Sequence, residues 1–275
     1  MKRRIFKLSY ILPLAITAIL HSSEYQKINL SRDQADFVAQ MVWENEAAGE
    51  LKYLIHWNKG EGFLSLGIAH FLWYSKDKKE RYLEMFPLLV EYLVIHNVRL
   101  PDWLDANTPC PWDDRESFLK AKIKNKPKYQ DLYNLLVRTM PIQVNFIIER
   151  MNGALPEMLK SLENKEERMS VRKAYNRMIY LPDGSLSTEG VYAVLDYVNF
   201  KGEGTSLSER YKGEGWGLLQ VLMEMDPETR DPLGSFREAA KKVLQERIEN
   251  SPPERNESRW KSGWYKRIDT YRVAK

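Results

Sequence analysis

Between residues 43 and 74, a chain whose other periodic segments repeat at helical spacing carries one stretch that reads as a strand. It starts as the last turn of a helix and brings three carboxylates, Glu44, Glu46 and Glu50. It continues through the turn Trp57-Asn58-Lys59-Gly60-Glu61-Gly62, where Asn, Lys and two glycines separate apolar runs and Glu61 is the one acid. It ends in Phe63-Leu64-Ser65-Leu66-Gly67-Ile68-Ala69-His70-Phe71, too apolar for an edge strand exposed on both faces. Gly67 within that run points to close approach of another backbone or of a ligand. Ser65 offers a hydroxyl there, and His70 is either a satisfied core histidine or a catalytic group. The rest of the chain is expected to be helical scaffold around this piece.

The helix leading into it has a start signal. Ser31-Arg32-Asp33-Gln34 has the Ser-x-x-Gln form of a capping box, and Ala35, Val38, Met41 and Val42 define a buried face. The same wheel puts Asn45 and Glu46 beside Val42 and Glu44 nearer the flank, with Gly49 as the stop. A carboxylate at a helix C-terminus faces the negative end of the macrodipole, and partial burial there favours its protonated form. That suits a proton donor. The alternative is that all three glutamates solvate a helix end.

Helical patterns follow over residues 82–94, 130–140, 143–151, 154–165 and 171–179, with Pro141 interrupting the second and third. Leu181-Pro182-Asp183-Gly184 is a turn. Beyond a helix over 188–198, two Gly-Glu-Gly turns, at Gly202 and Gly213, flank a polar loop, and Gly215-Trp216-Gly217 opens the next helix. Such glycines let a backbone come close to a substrate. Asn199, Tyr211, Trp216 and Gln220 supply amide, phenol and indole groups that suit sugar hydroxyls and pyranose faces; the other reading is structural loops with Trp216 in the core. No glycine run has phosphate-loop spacing, so no nucleotide site is read. The aromatics of Trp260-Lys261-Ser262-Gly263-Trp264-Tyr265 are expected to lock the chain end onto the body.

The 275 residues carry 42 basic and 38 acidic side chains. Lys2, Arg3, Arg4 and Lys7 precede the first acid, Glu24, so the body beyond them holds 38 of each sign and shows no nucleic-acid or anionic-membrane footprint. Residues 1–23 read as an export signal, a charged start, an apolar run over 8–20 and a polar exit. That run is shorter than the roughly 20 residues a spanning helix needs, so no stable membrane insertion is expected after its removal. An uncleaved anchor or a buried helix is the alternative. Cys110 is the only cysteine, which excludes an internal disulfide and a cysteine metal cluster.

Two pieces resemble the lysozyme-like superfamily of glycoside hydrolases and lytic transglycosylases. Glu46-Ala47-Ala48-Gly49 is similar to the catalytic-glutamate segment of goose-type lysozymes and lytic transglycosylases, and residues 62–70 to the hairpin strand of phage-type lysozymes. Ala69 stands where the phage-type strand has a glycine. Chitosanases of the same superfamily have Glu-Asn at the helix end, which would select Glu44 and Asn45. Gly217-Leu218-Leu219-Gln220 resembles the Gly-Leu-Met-Gln box of lytic transglycosylases. The resemblance implies a mainly α fold, a single lysozyme-like helical domain over 24–275 with a small β-hairpin beside an active-site cleft. There Glu46 would protonate the glycosidic oxygen, Glu61 would be the second carboxylate, and Ser65 would position water. Asn58, Ser65, His70, Asn199, Tyr211, Trp216 and Gln220 would contact substrate. It implies a periplasmic or secreted enzyme acting on peptidoglycan, or second on chitosan or another aminosugar polymer, with no cofactor and no metal. A wall-binding protein that keeps the cleft and lacks turnover stays open.

Overall fold

The structure, a computed structural model, describes residues 27–47, 53–76, 78 and 84–273, with the backbone alone at 46 and 47. The export-signal reading over 1–23, and Gly49 and Glu50, lie outside the described residues. Among the described residues there are ten α-helices and two small antiparallel sheets. The fold is mainly α with a small hairpin sheet. None of these helices is long and apolar enough to cross a membrane.

Helix α1 (Arg32–Ala47) begins as the capping box requires: the Gln34 amide donates to Ser31 Oγ, and the Ser31 amide to Gln34 Oε1. Three strands follow, β1 (Ile55–His56), β2 (Phe63–Leu66) and β3 (Phe71–Tyr74), in the spatial order β1-β2-β3. The apolar run expected as one strand over 63–71 is therefore two, with residues 67–70 as their turn. The change of direction comes from Gly67 and His70, which both take positive φ, 71° and 52°. Strand β2 is central, and all four of its residues are buried.

What approaches Gly67 is a side chain rather than another backbone. A Cβ there would fall 2.4 Å from Gln143 Oε1. That oxygen accepts from the Ile68 amide at 3.1 Å, while Nε2 donates to the Leu136 carbonyl and to Thr139 Oγ1. Gln143 is wholly buried and clips the hairpin turn to the junction between α4 (Pro127–Arg138) and α5 (Met140–Lys160). Pro141 lies in the first turn of α5, where its missing N–H costs nothing, so it starts this helix. Helix α5 then runs through Pro156, joining the 143–151 and 154–165 patterns into one element that stops at Lys160.

The remaining helices are α2 (Phe86–Ile95) on the sheet and α3 (Arg115–Ile123) before α4. Helix α6 (Lys165–Ile179) leads into α7 (Thr188–Lys201). After a two-stranded ribbon, β4 (Arg210–Tyr211) with β5 (Glu214–Gly215), come α8 (Leu218–Glu224), α9 (Pro232–Asn250) and α10 (Lys261–Ile268). Helix α7 is the axis of this half. Every residue from Gly190 to Tyr197 is buried, and α1, α5, α6, α8 and α9 all pack on it. A helix apolar on all sides belongs in a core.

One charge sits within that run from Gly190 to Tyr197. Asp196 is fully buried and accepts from Arg267 Nε at 2.8 Å, Arg267 Nη2 at 2.9 Å, Tyr271 Oη at 2.6 Å and Asn45 Nδ2 at 3.2 Å. Asn45 also donates to Tyr192 Oη and Thr270 Oγ1. The cluster joins the end of α1, the middle of α7 and the C-terminal segment. Arg267, Ile268 and Tyr271 thus secure the chain end, whereas Trp260, expected in that role, is 51 % exposed. Removing one partner of a buried ion pair costs about 3–5 kcal/mol, since the other charge stays buried. We therefore expect Arg267→Met to lower unfolding free energy by about that much in urea titrations. A change below roughly 1 kcal/mol would mean the pair behaves as a solvated one.

Candidate functional site

The residues expected around the hairpin divide by geometry. Glu44 is exposed and accepts from Gln40 Nε2 at 2.8 Å, one helical turn back. The Glu46 side chain lies outside the described residues, but its backbone lies in the last turn of α1, directly after Asn45. Asn58 and Glu61 bond to one another inside the β1–β2 turn at 3.0 Å, and Trp57 Nε1 donates to the Glu61 carbonyl. Ser65 pairs with His56 and Leu72 in the central strand and is 4 % exposed, so it presents no hydroxyl to a cleft. His70 is half-buried in the hairpin turn.

The residues expected in the C-terminal third come together at the end of α7. Helix α7 stops at Gly202, whose φ is 81°, and the chain loops out. It returns so that the Leu218 and Leu219 amides donate to the Gly202 and Glu203 carbonyls. The crossing requires two glycines: a Cβ on Gly217 would lie 2.2 Å from the Gly204 amide nitrogen. Gln220 closes this crossing. Its Oε1 accepts from the Gly217 amide and its Nε2 donates to the Gly204 carbonyl, so it braces the loop rather than facing a ligand. At the loop tip Lys212 and Gly213 both have positive φ, the requirement of a tight two-residue hairpin, and this ribbon presents Tyr211.

Two contiguous cavities of about 380 and 950 Å³ lie against this loop and share Val198, Asn199, Gly202, Ser206 and Glu209. The larger also takes in Tyr211 and Trp216, whose ring centroids are 4.7 Å apart. Asn199, Tyr211 and Trp216, singled out for sugar contact, therefore line one groove, with most of Trp216 packed inside. A separate cavity of about 630 Å³ beside Tyr92 and Asn152 holds none of them.

The groove is also lined by charges that sequence reasoning missed: Lys201, Glu209, Arg247 and Arg255. Arg247 donates from Nε and Nη2 to Glu257, which accepts Tyr211 Oη as well, and Arg255 Nη1 donates to that phenol. Burial works to raise the Glu257 carboxyl, but the hydrogen bonds from Arg247 and Tyr211 and the nearby guanidinium charges outweigh it and hold it below its usual range. The Arg247 guanidinium lies 4.0 Å from the Trp216 centroid.

Lys201 has no such counterion. It is 9 % exposed, with Nζ 3.5 Å from the Trp264 centroid and 4.0 Å from that of Phe200. Among the described residues no group accepts a hydrogen bond from it and no carboxylate stands within ion-pair distance. Burial, then the charge of Arg247, with Glu257 partly opposing and Arg267 adding, pulls its pKa down to about 6. A signal for it existed. Lys201 follows Val194 and Val198 at helical spacing on α7, and Arg247 follows Val243 and Leu244 on α9, so both charges continue apolar stripes.

No protein-family model, curated protein or solved structure matches this chain.

The folded state disfavours the Lys201 ammonium, while the unfolded chain keeps its proton up to about 10.5. Stability therefore rises with pH between about 6 and 10.5, and below that window the full burial penalty stands. Lys201→Met should be more stable than the parent, most of all below about pH 6, with the margin shrinking as pH climbs. Denaturant titrations at a series of pH values check this. A margin constant with pH would mean that the ammonium carries no burial penalty.

Proposed function

We propose that this protein is an exported glycosidase that cleaves the glycan strands of an aminosugar polymer, peptidoglycan first, with the saccharide lying in the groove at the end of α7. The observation that carries the reading is the meeting of Asn199, Tyr211 and Trp216 in one groove at the end of α7. Helices α1 and α7 run side by side in the same direction, since Gln34 bonds to Thr188 near their starts and Asn45 to Asp196 near their ends. Asp196 lies one turn before Asn199, so the Glu46 backbone stands at the level where the groove begins. Aromatic faces suit the C–H faces of a pyranose, and amide groups suit its hydroxyls.

In this reading Glu46, in the last turn of α1, donates a proton to the glycosidic oxygen as the leaving sugar departs. Glu209, which lines both cavities, is the candidate second carboxylate. Glu61, expected in that role, is bonded to Asn58 in the β1–β2 turn and lines neither cavity. With a second carboxylate in action, water attacks and reducing ends form; without one, the sugar's own 6-hydroxyl attacks and anhydro ends form. The remote likeness of residues 46–49 and 62–70 to lysozyme-like enzymes agrees with this chemistry.

Mass spectrometry of digested cell-wall sacculi tests the proposal. The parent protein is expected to release muropeptides, and Glu46→Gln to lower the rate by roughly 10²–10⁴-fold with the fold intact. Full activity in that variant would remove the assignment, and loss on Glu44→Gln alone would move it to the helix flank. Sacculi that bind the protein without releasing products would leave a wall-binding protein instead.

A further inference from the structure

We infer that the inner wall of this groove is a carboxylate-binding subsite, built from Lys201 with Arg247 and Arg255 behind the aromatic pair Tyr211 and Trp216, and that the sugar it takes is an acidic one. This deepens the saccharide reading and rests on it.

The inference starts from charge pairing. Arg267 is held by Asp196 and Arg247 by Glu257, each through two hydrogen bonds. Lys201, nine-tenths buried between the Phe200 and Trp264 rings and lining the larger cavity, has no carboxylate of its own among the described residues. Burying an ammonium without a counterion is costly, and a structural role would be filled better by an apolar side chain. The surroundings repeat the sign. Arg247 lies over the same Trp264 ring, at 5.1 Å, and Arg267 over the Phe200 ring, at 4.5 Å. Arg255 reaches the cavity wall through its bond to Tyr211. A ligand anion supplies the missing negative charge at the point where the protein omits it.

The charge expected of that ligand is single. Glu209 lines both cavities and Glu203 the smaller, and both oppose a dianionic phosphate. A buried lysine in a groove that also presents an indole and a phenol fits a monoanionic carboxylate on a pyranose, with the ring against the aromatics and the acid at Lys201.

Binding then draws a proton onto Lys201. The groups that face it are Arg247 from α9, Arg267 from α10 and Glu257 from the turn between them. Asp196 on α7 is engaged by Arg267, and Glu209, Tyr211 and Arg255 share the cavity wall. The lysine is largely neutral at pH 8 and charged below about 6, so affinity for the acid falls as pH rises through that interval.

Calorimetric titration of the full chain tests the subsite with two matched pairs, N-acetylmuramic acid against N-acetylglucosamine and glucuronic acid against glucose. At least one acid is expected to bind roughly tenfold or more tighter than its neutral partner near pH 6, with the preference fading by about pH 8. Preference in the first pair identifies a lactyl carboxylate, and in the second a ring carboxylate. Lys201→Met should abolish the preference while retaining neutral-sugar binding, and Arg255→Gln, on an exposed side chain, should reduce it. Equal binding within both pairs overturns the inference, as does a preference that survives Lys201→Met. If Lys201→Met does not fold, by circular dichroism, Arg255→Gln decides, and an undiminished preference there is fatal. Loss of sacculus cleavage with the preference intact would sink the catalytic reading alone. Cleavage by a protein indifferent to the carboxylate would sink the subsite alone.

Discussion

The arrangement of the C-terminal half depends on one buried ion pair, Asp196 with Arg267. A carboxylate in the middle of an otherwise apolar helix is tolerable only when its oxygens are fully engaged. Here Arg267 binds both of them, and Tyr271 and Asn45 share one. Those partners come from the far end of the chain and from the end of α1. Satisfying Asp196 therefore fixes where the last segment crosses α7 and where α1 terminates. The groove inherits its geometry from this constraint. Asn199 and Lys201 follow Asp196 on the same helix, and Trp264 lies on the helix that delivers Arg267. An apolar replacement of the pair would save desolvation but lose this registry of three segments.

A second consequence follows from the cations gathered around the pair. Arg267 and Arg247 each bring a carboxylate partner, and each also lies against an aromatic ring that Lys201 touches. The result is a cationic, aromatic-lined recess in a protein whose sequence beyond its first residues is balanced in charge. Long-range electrostatics says little about such a protein's ligand; the local absence of one counterion says more. The same absence makes the recess costly to stability wherever the Lys201 ammonium keeps its proton.

Much of the scaffold was legible in the sequence because local and tertiary signals agreed. The Ser31–Gln34 box starts α1 where read, the stripe over 188–198 is α7, and Gly217 opens α8. The run over 63–71 reads as one strand because Ser65 and His70 are its only clearly polar residues, and positive φ at Gly67 and His70 marks its turn. The 143–151 and 154–165 patterns part at Asn152-Gly153, where glycine weakens a helical reading, whereas one helix runs through there and on through Pro156. The site was half legible. Amide and aromatic groups were chosen for their chemistry, and Asn199, Tyr211 and Trp216 meet in one groove. Gln220 has the same chemistry but spends it on Gly204 and Gly217. Lys201 and Arg247 belong to no motif in the sequence, although both continue apolar stripes.

The account turns on the end of α7 as the place where a saccharide binds. Backbone and tryptophan side-chain NMR during titration with a soluble peptidoglycan fragment tests this most directly. Shifts are expected to concentrate at Asn199, Lys201, Tyr211 and the Trp216 and Trp264 indoles, extending to the last turn of α1, with Trp73 and Trp112 beside the sheet unmoved. Shifts gathered at the three-stranded sheet, or none at saturating fragment, would contradict it.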